Sequence, residues 1–252
     1  MHVVRSPAQP SGALVAWGNA WLTGHVGLDE AVDVIEGTAG PHVIEEVPLR
    51  CGLADLRVAG MMALRLALPV PGDPLGLTGP PGFNAAALEA GAAVVAVLSG
   101  RAVGLVPAED RRGSSYVGVR WTTLEAAVGA PDVPSLPEAD RRLTLAVREA
   151  TDTLLTVDDV SGWRPETAEA LSALRSEPDP SDALAPGYPP RAHRVAALTG
   201  RLAVVVDLAR GLDGQHLTAD QMARRADALR LLDRAVRRAR VAAHNSAFDP
   251  VS

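Results

Sequence analysis

The residues best suited to bind a ligand lie in a segment rich in proline and glycine, residues 69–84. Proline restricts the backbone and glycine allows close backbone approach, so such a loop can be rigid and unusual in shape. The segment leads from a predicted strand into a predicted helix, and the free N–H groups at a helix N-terminus favour an anion. The sequence therefore predicts a site for a small anionic ligand, formed by Asp73, Gly82, Phe83, Asn84 and Arg120.

The roles within this predicted site differ. Asn84 is the expected N-cap of the helix, and Arg120 (or Arg101) would supply positive charge from a neighbouring strand. Asp73 would instead face a cation or a hydrogen-bond donor. The alternative interpretation is structural: a stiff crossover loop that packs on the sheet through Leu75, Leu77 and Phe83.

The last predicted helix carries a second candidate surface. Seven arginines and only three aspartates lie between residues 217 and 245, in a chain whose net charge is −6. Guanidinium groups suit two-pronged contacts to carboxylate or phosphate. One stripe of this helix is therefore a candidate binding site for an acidic protein partner: Arg230, Arg234, Arg237 and Arg238. Nucleic-acid binding is less favoured, because stacking aromatic residues are nearly absent there. Alternatively, these arginines pair with an acidic helix at residues 138–159.

Other reactive side chains form no recognisable constellation. The six histidines are dispersed without an HxH or HExxH pair, and Cys51 is the single cysteine. We therefore expect no metal site, no cofactor and no intramolecular disulfide. All 24 basic residues are arginine, which excludes a lysine Schiff base and the lysine of a phosphate-binding loop.

Short elements with turn signals between them must position the first candidate site. Helices are predicted at residues 13–22 and 28–36, joined as a hairpin. Strands are predicted at residues 42–47, 61–70, 94–98, 102–106 and 116–122, with a tight hairpin turn at Ser99-Gly100-Arg101. These elements predict a small, mostly antiparallel sheet with one helix, residues 84–90, lying across it.

The second half of the chain is predicted to be helical. Apolar seams at residues 195–212 and 229–243 predict an antiparallel helical pair within a bundle of about four helices, one of them short and near residues 168–174. The predicted fold class is α+β. We predict a flexible tail (1–11), an α+β domain (12–130), a linker (131–137) and a helical bundle domain (138–250).

These features favour a non-catalytic interaction or regulatory protein that uses its helical seams for self-association or for docking a partner. The alternative is a binding protein or enzyme with an anionic small molecule at residues 69–84. Nucleic-acid binding through the last helix is the weaker alternative. The apolar patch at residues 12–22 lacks a cleavage signal, and no apolar run is long enough to span a bilayer. We therefore expect a cytoplasmic protein with no membrane partner.

Overall fold

The computed structural model describes residues 8–112, 116–157, 184–211 and 218–248. Within them lie seven α-helices: α1 Ala8–Leu22, α2 Leu28–Ala39, α3 Leu49–Val58, α4 Pro81–Ala90, α5 Leu136–Val157, α6 Pro190–Gly211 and α7 Ala219–Asn245. The predicted N-terminal pair is present as α1 and α2. Helix α1 begins earlier than predicted, so residues 8–11 belong to a buried helix end and not to a flexible tail. The remainder of that predicted tail lies outside the described residues, as does the predicted short helix near 168–174.

One six-stranded sheet completes the α+β fold that the sequence predicts. Its strands are β1 His42–Ile44, β2 Val47–Pro48, β3 Met61–Ala67, β4 Ala93–Leu98, β5 Arg101–Arg112 and β6 Tyr116–Ala126. The strand order is β2-β1-β6-β5-β4-β3, and β1 with β6 is the parallel pair in an otherwise antiparallel arrangement. The sheet is thus mostly antiparallel, and the predicted tight turn at 99–101 joins β4 to β5.

Two asparagine side chains close the outer edge of β3. Asn19 of α1 donates from Nδ2 to the Leu64 carbonyl and accepts from the Leu64 N–H, both at 2.8 Å. Asn245, at the end of α7, accepts from the Leu66 N–H at 2.7 Å and donates to the Leu66 carbonyl at 3.1 Å. A carboxamide offers one donor and one acceptor side by side, as a neighbouring strand would. The first and last helices are therefore both tied to the sheet.

Apolar side chains cover both faces of the sheet. Along β4, Val94 and Leu98 belong to a core shared with α1, α2 and α3, whereas Val95 belongs to a smaller core under α4. Val241 of α7 also lies in the larger core. Contacts therefore cross the predicted linker at 131–137, so α7 packs on the sheet as well as on the other helices.

The C-terminal helices α6 and α7 contact each other. Thr218 caps α7 with reciprocal hydrogen bonds to Gln221. The Tyr188 hydroxyl donates to the His244 carbonyl at 2.9 Å at one end, and Arg225 Nη2 donates to the Ala209 carbonyl at 2.9 Å at the other. These contacts make α6 and α7 antiparallel. None of the helices in the described ranges combines the length and apolar character needed to cross a membrane.

Candidate binding groove between α5 and α7

The loop between β3 and α4 begins with a tight turn that places Asp73 against α7. Val70 and Asp73 exchange backbone hydrogen bonds of 2.9 and 3.0 Å, with Pro71 and Gly72 between them. Gly72 has a φ of 81°, which suits the third position of a type II turn after proline. Further along, Leu75 is buried in the larger core and Leu77 in the smaller one. The loop therefore crosses the sheet edge and packs on both faces, in agreement with the structural interpretation of this segment.

The Asp73 carboxylate is the centre of an arginine cluster. Its side chain is 6% exposed, and it accepts hydrogen bonds from Arg238 Nη1 at 2.7 Å and Arg237 Nη2 at 3.1 Å. Arg234 Nε lies 3.6 Å from the same carboxylate. Residues 234, 237 and 238 share one face of α7, because residues three and four apart on a helix are neighbours. Asp73 thus faces donor groups, as predicted for this residue, and the donors come from the predicted partner-binding stripe.

Two of these arginines also bind other parts of the chain. Arg237 Nη1 donates to the Leu68 carbonyl at 2.9 Å, and Arg238 Nη2 donates to Asp132 at 2.9 Å. Their side chains are only 15% and 14% exposed. Arg237 and Arg238 therefore hold the loop and the 131–137 segment against α7, and their partner-binding role stays a prediction.

The two remaining members of the stripe lie at the surface. Arg230 pairs with Asp227 at 2.8 Å, and both side chains are largely exposed. Arg234 is 57% exposed. The carboxylates that these four arginines contact in the described part of the chain lie at 73, 132, 227 and 233, and not in the predicted acidic helix. Asp140 of α5 pairs instead with arginines of α6.

The other predicted ligand residues are not gathered around Asp73. Phe83 is 1% exposed and packs against Gly104, where a β-carbon would collide with its ring. Gly82 is exposed. Asn84 is not the N-cap: α4 begins at Pro81, and Asn84 Oδ1 accepts from the Gly79 N–H at 3.0 Å from inside the first turn. These residues therefore shape the end of the loop.

Arg120 contacts a different part of the molecule, which corrects its assignment to the loop. It bonds Glu46 and the Glu45 carbonyl of the β1–β2 turn, and its Nη2 lies 3.6 Å from Asp110. The reason is its position on β6, where it lies opposite Val43 of β1 and Ala108 of β5. The hydrogen bond from Arg112, together with the charge of Arg120, lowers the pKa of Asp110 below its usual value.

A groove of about 210 Å³ lies between α5 and α7, beside the arginine cluster. Its lining combines an apolar floor with cationic groups: Pro134, Ala139, Arg142, Leu231, Arg234, Ala235 and Arg238. Residues 231, 234, 235 and 238 lie on one face of α7, and 139 and 142 on one face of α5. The groove thus offers an apolar surface next to guanidinium groups, an arrangement suited to a ligand that is both apolar and anionic.

Sequence reasoning included Arg234 and Arg238 of this groove but missed Leu231 and Arg142. The spacing of 231, 234, 235 and 238 is a signal that could have placed Leu231 beside the arginines. Arg142 has no such signal, because Glu138, four residues earlier, makes it resemble an ordinary surface pair.

A buried histidine lies apart from the groove, in the sheet. His42 is 1% exposed, and its Nδ1 accepts a hydrogen bond from Trp121 Nε1 at 3.2 Å. Its Nε2 has no hydrogen-bond partner among the residues that the structure describes. Burial lowers the pKa of His42 to about 4. Protonation would place a charge in the core and remove the acceptor for Trp121.

We expect acid to destabilise the protein through His42. Because its folded pKa lies below the unfolded value, the stabilisation is present above about pH 6.5 and is lost as the pH falls towards 4. At pH 5 the free energy of unfolding should be lower by about 2 kcal/mol than at pH 7 from this group. His42→Asn keeps an acceptor for Trp121 but does not titrate, so urea unfolding should show a smaller pH dependence. The exposed His193→Asn is the control, and equal pH dependence in all three proteins would contradict the assignment.

Two family models match the chain, and together they cover most of it. A family model described as the N-terminal domain of Rv1486c-like protein matches residues 11–137, and one described as its C-terminal domain matches residues 137–241. The chain is 28% identical to the uncharacterized protein Rv1486c of Mycobacterium tuberculosis H37Rv, over 93% of this chain and 95% of that protein. It is also 28% identical to the uncharacterized protein ML1804 of Mycobacterium leprae, over 94% of this chain and 96% of that protein. No solved structure matches it significantly.

Proposed function

We propose that this chain, which belongs to the Rv1486c-like protein family, is a non-catalytic cytoplasmic interaction protein that binds an acidic segment of a partner protein. The binding surface in this proposal is the groove between α5 and α7. The observation that carries the proposal is the presence of three guanidinium groups around an apolar floor in that groove.

The apolar part of the groove supports binding of an apolar side chain from the partner. Leu231 is 58% exposed and lies beside Ala235 and Ala139. The side chains that line the groove belong to arginine, leucine, alanine and proline. Arginine stays protonated at neutral pH, so none of these groups serves as a nucleophile or a general base. A binding role therefore fits this lining better than a catalytic one.

The charged part supports an acidic occupant. Arg142 is 61% exposed and pairs with Glu138, and Arg234 is 57% exposed with Asp73 at 3.6 Å. A guanidinium has five N–H donors, so both side chains retain donors for further carboxylates. The chain as a whole carries a net charge of −6, which repels acidic peptides in general. If an acidic peptide binds despite this net charge, then it must bind at a local cationic site.

A labelled acidic peptide tests the proposal directly. The probe is a short fluorescein-labelled peptide with two leucines spaced four apart and flanked by glutamates, titrated with the full chain at low salt. We expect a Kd below about 100 µM by fluorescence anisotropy. Replacing Arg142 and Arg234 together by glutamine should raise the Kd about tenfold or more, because charge-assisted hydrogen bonds are lost.

Matched controls distinguish specific binding in the groove from nonspecific electrostatic attraction of the peptide. Arg224→Gln removes an exposed arginine of α7 that pairs with Asp220 outside the groove, and should leave the Kd unchanged. A peptide with glutamines in place of glutamates should not bind. Absence of binding to the wild-type chain, or equal loss in Arg224→Gln, would contradict the proposal. Native mass spectrometry adds one outcome. If the wild-type chain forms a dimer and the variant with Arg142 and Arg234 replaced by glutamine is a monomer, then a second copy, and not an acidic partner, occupies the groove.

A further inference from the structure

A second groove lies on the sheet, beside the proline- and glycine-rich loop. Its volume is about 150 Å³. The residues that line it come from β3, β4, β5, the proline- and glycine-rich loop and the segment after β6; they include Arg65, Thr78, Val95, Val97, Ala102 and Val128. We call it the Arg65 groove, and none of its lining residues belongs to the groove between α5 and α7.

Arg65 is the one charged side chain among the described residues that line this groove. It is half-buried, and among the residues of the described ranges none accepts a hydrogen bond or forms an ion pair with it. Arg237 and Arg238, in contrast, each bind two carboxylate groups. A partly buried cation without a counter-charge is unfavourable, so an anion that reaches it gains more than it would at an exposed arginine.

The surroundings of the guanidinium are apolar. Arg65 lies directly opposite Val95 in the antiparallel register of β3 and β4, so the two side chains are on the same face of the sheet. Val97 lies opposite Ala102 on the next pair of strands. Val95 and Ala102 are buried, at 4% and 6% exposed. A ligand at Arg65 would thus lie along a branched apolar surface.

Hydrogen bonds between the loop and the segment after β6 build the far wall. The Thr78 hydroxyl donates to the Ala127 carbonyl at 2.7 Å, and the Ala127 N–H donates to the Gly79 carbonyl at 2.8 Å. Gly76 approaches Ala67 so closely that a β-carbon would lie 2.9 Å from it, and its φ is 90°. The wall is therefore held in place before any ligand binds, which reduces the entropic cost of binding.

We propose that the Arg65 groove binds a small monocarboxylate with an apolar body. One guanidinium can bind one carboxylate through two parallel hydrogen bonds. The apolar walls disfavour a second negative charge, so a phosphate dianion is a poorer match than a carboxylate. A cavity of about 150 Å³ accommodates a body the size of benzene. An aromatic or branched aliphatic acid of that size satisfies both features of the groove.

Benzoate is the probe that tests this inference. Titration of benzoate into isotope-labelled full-length protein should shift the Nε–H signal of Arg65 and the amide signals of Thr78 and Val97, with a Kd on the order of 1 mM. Benzyl alcohol, of similar size but uncharged, should bind at least tenfold more weakly. Benzoate shifts confined to other residues, or none at saturating concentration, would overturn the proposal.

Substitution of Arg65 provides a second test of benzoate binding. Arg65→Gln should raise the benzoate Kd tenfold or more, whereas Arg101→Gln should leave it unchanged. Arg101 is an exposed arginine at the start of β5, so it gives the same change in net charge outside the groove. Arg65→Met keeps an unbranched apolar stem without the charge. The free energy of unfolding of this variant should equal or exceed that of the wild type, because a cation that has no partner among the described residues is removed. Unchanged benzoate binding in Arg65→Gln would overturn the proposal, because Arg65 would then not bind the carboxylate. A loss of stability in Arg65→Met would show that Arg65 has a structural role instead. Neither result bears on peptide binding at α5 and α7.

Discussion

Replacement of Asp73 by asparagine is expected to lower the free energy of unfolding by about 3 kcal/mol or more. Asparagine has the same shape as aspartate but no charge, so the two nearly buried guanidinium groups of Arg237 and Arg238 would lose the carboxylate they share. The amide would also present an N–H group where the carboxylate accepts hydrogen bonds. Arg237 would keep Asp233 and Arg238 would keep Asp132, but both guanidinium groups would lose their most buried carboxylate. Removing one partner of a buried ion pair has a large effect because the remaining charge is less well compensated.

Urea unfolding followed by circular dichroism measures this effect, provided the slope of free energy against urea stays constant. Asp227→Asn is the matched control, since its ion pair with Arg230 is exposed on both sides. An exposed pair contributes about 0–1 kcal/mol, so the control should stay close to the wild type. Equal losses in the two variants would mean that Asp73 does not anchor the loop to α7.

The contact between Asp73 and the arginines of α7 could not be predicted from the sequence. The sequence indicates that Asp73 faces donors and that four arginines share a stripe of the last helix. More than 160 residues separate the two groups along the chain. Nothing local specifies such a contact, because it depends on where α7 lies against the sheet. The sequence therefore indicates which residues carry these charges, but not which residues they contact.

Regular elements are more predictable, because their signals are local. The alternating strands, the turn at 99–101 and the Thr218 cap are specified by neighbouring residues. Helix α3 was missed for a local reason as well. Gly52 lowers the helical propensity of this short segment, yet its missing side chain is needed there, since a β-carbon would lie 2.9 Å from Ile44. Tertiary packing thus overrides propensity in α3.

The groove between α5 and α7 could not be predicted as a site. It forms where Ala139 and Arg142 of one helix meet Leu231 and Ala235 of another. Each side alone resembles an ordinary helix surface, with a polar side chain near a small apolar one. The Arg65 groove is similar, because an arginine in a strand gives no sign that its neighbours will be valines or that no carboxylate of the described residues will pair with it.

The strand edge at β3 depends on Asn19 in a way that no helical pattern indicates. Asn19 lies inside α1, where asparagine is a weak helix former, and its side chain is 1% exposed. Its amide satisfies both the N–H and the C=O of Leu64. An unpaired edge strand would expose these groups to other chains or bury them without partners. Asn19 therefore lowers the helical propensity of α1, but its side chain satisfies the backbone groups at the edge of the sheet.

Asn19→Ala is expected to lower the free energy of unfolding by about 3–4 kcal/mol, because two buried backbone groups would each lose a partner at about 1–3 kcal/mol. Asn245→Ala is the matched comparison: it removes the same pair of hydrogen bonds from Leu66, but the Asn245 side chain is itself half-buried, so its truncation would open a path for water from the surface to the Leu66 backbone. Asn245→Ala should lower the free energy of unfolding by about 1–2 kcal/mol.

Urea unfolding compares the stability of the two variants, and hydrogen exchange shows which backbone amides are affected. In Asn19→Ala the Leu64 amide should exchange faster than the loss of global stability explains. The Leu66 amide should exchange faster only by the amount that the loss of global stability explains. If Asn19→Ala costs no more than Asn245→Ala, or if Leu64 exchange is unchanged, then β3 does not need the Asn19 amide to close its edge.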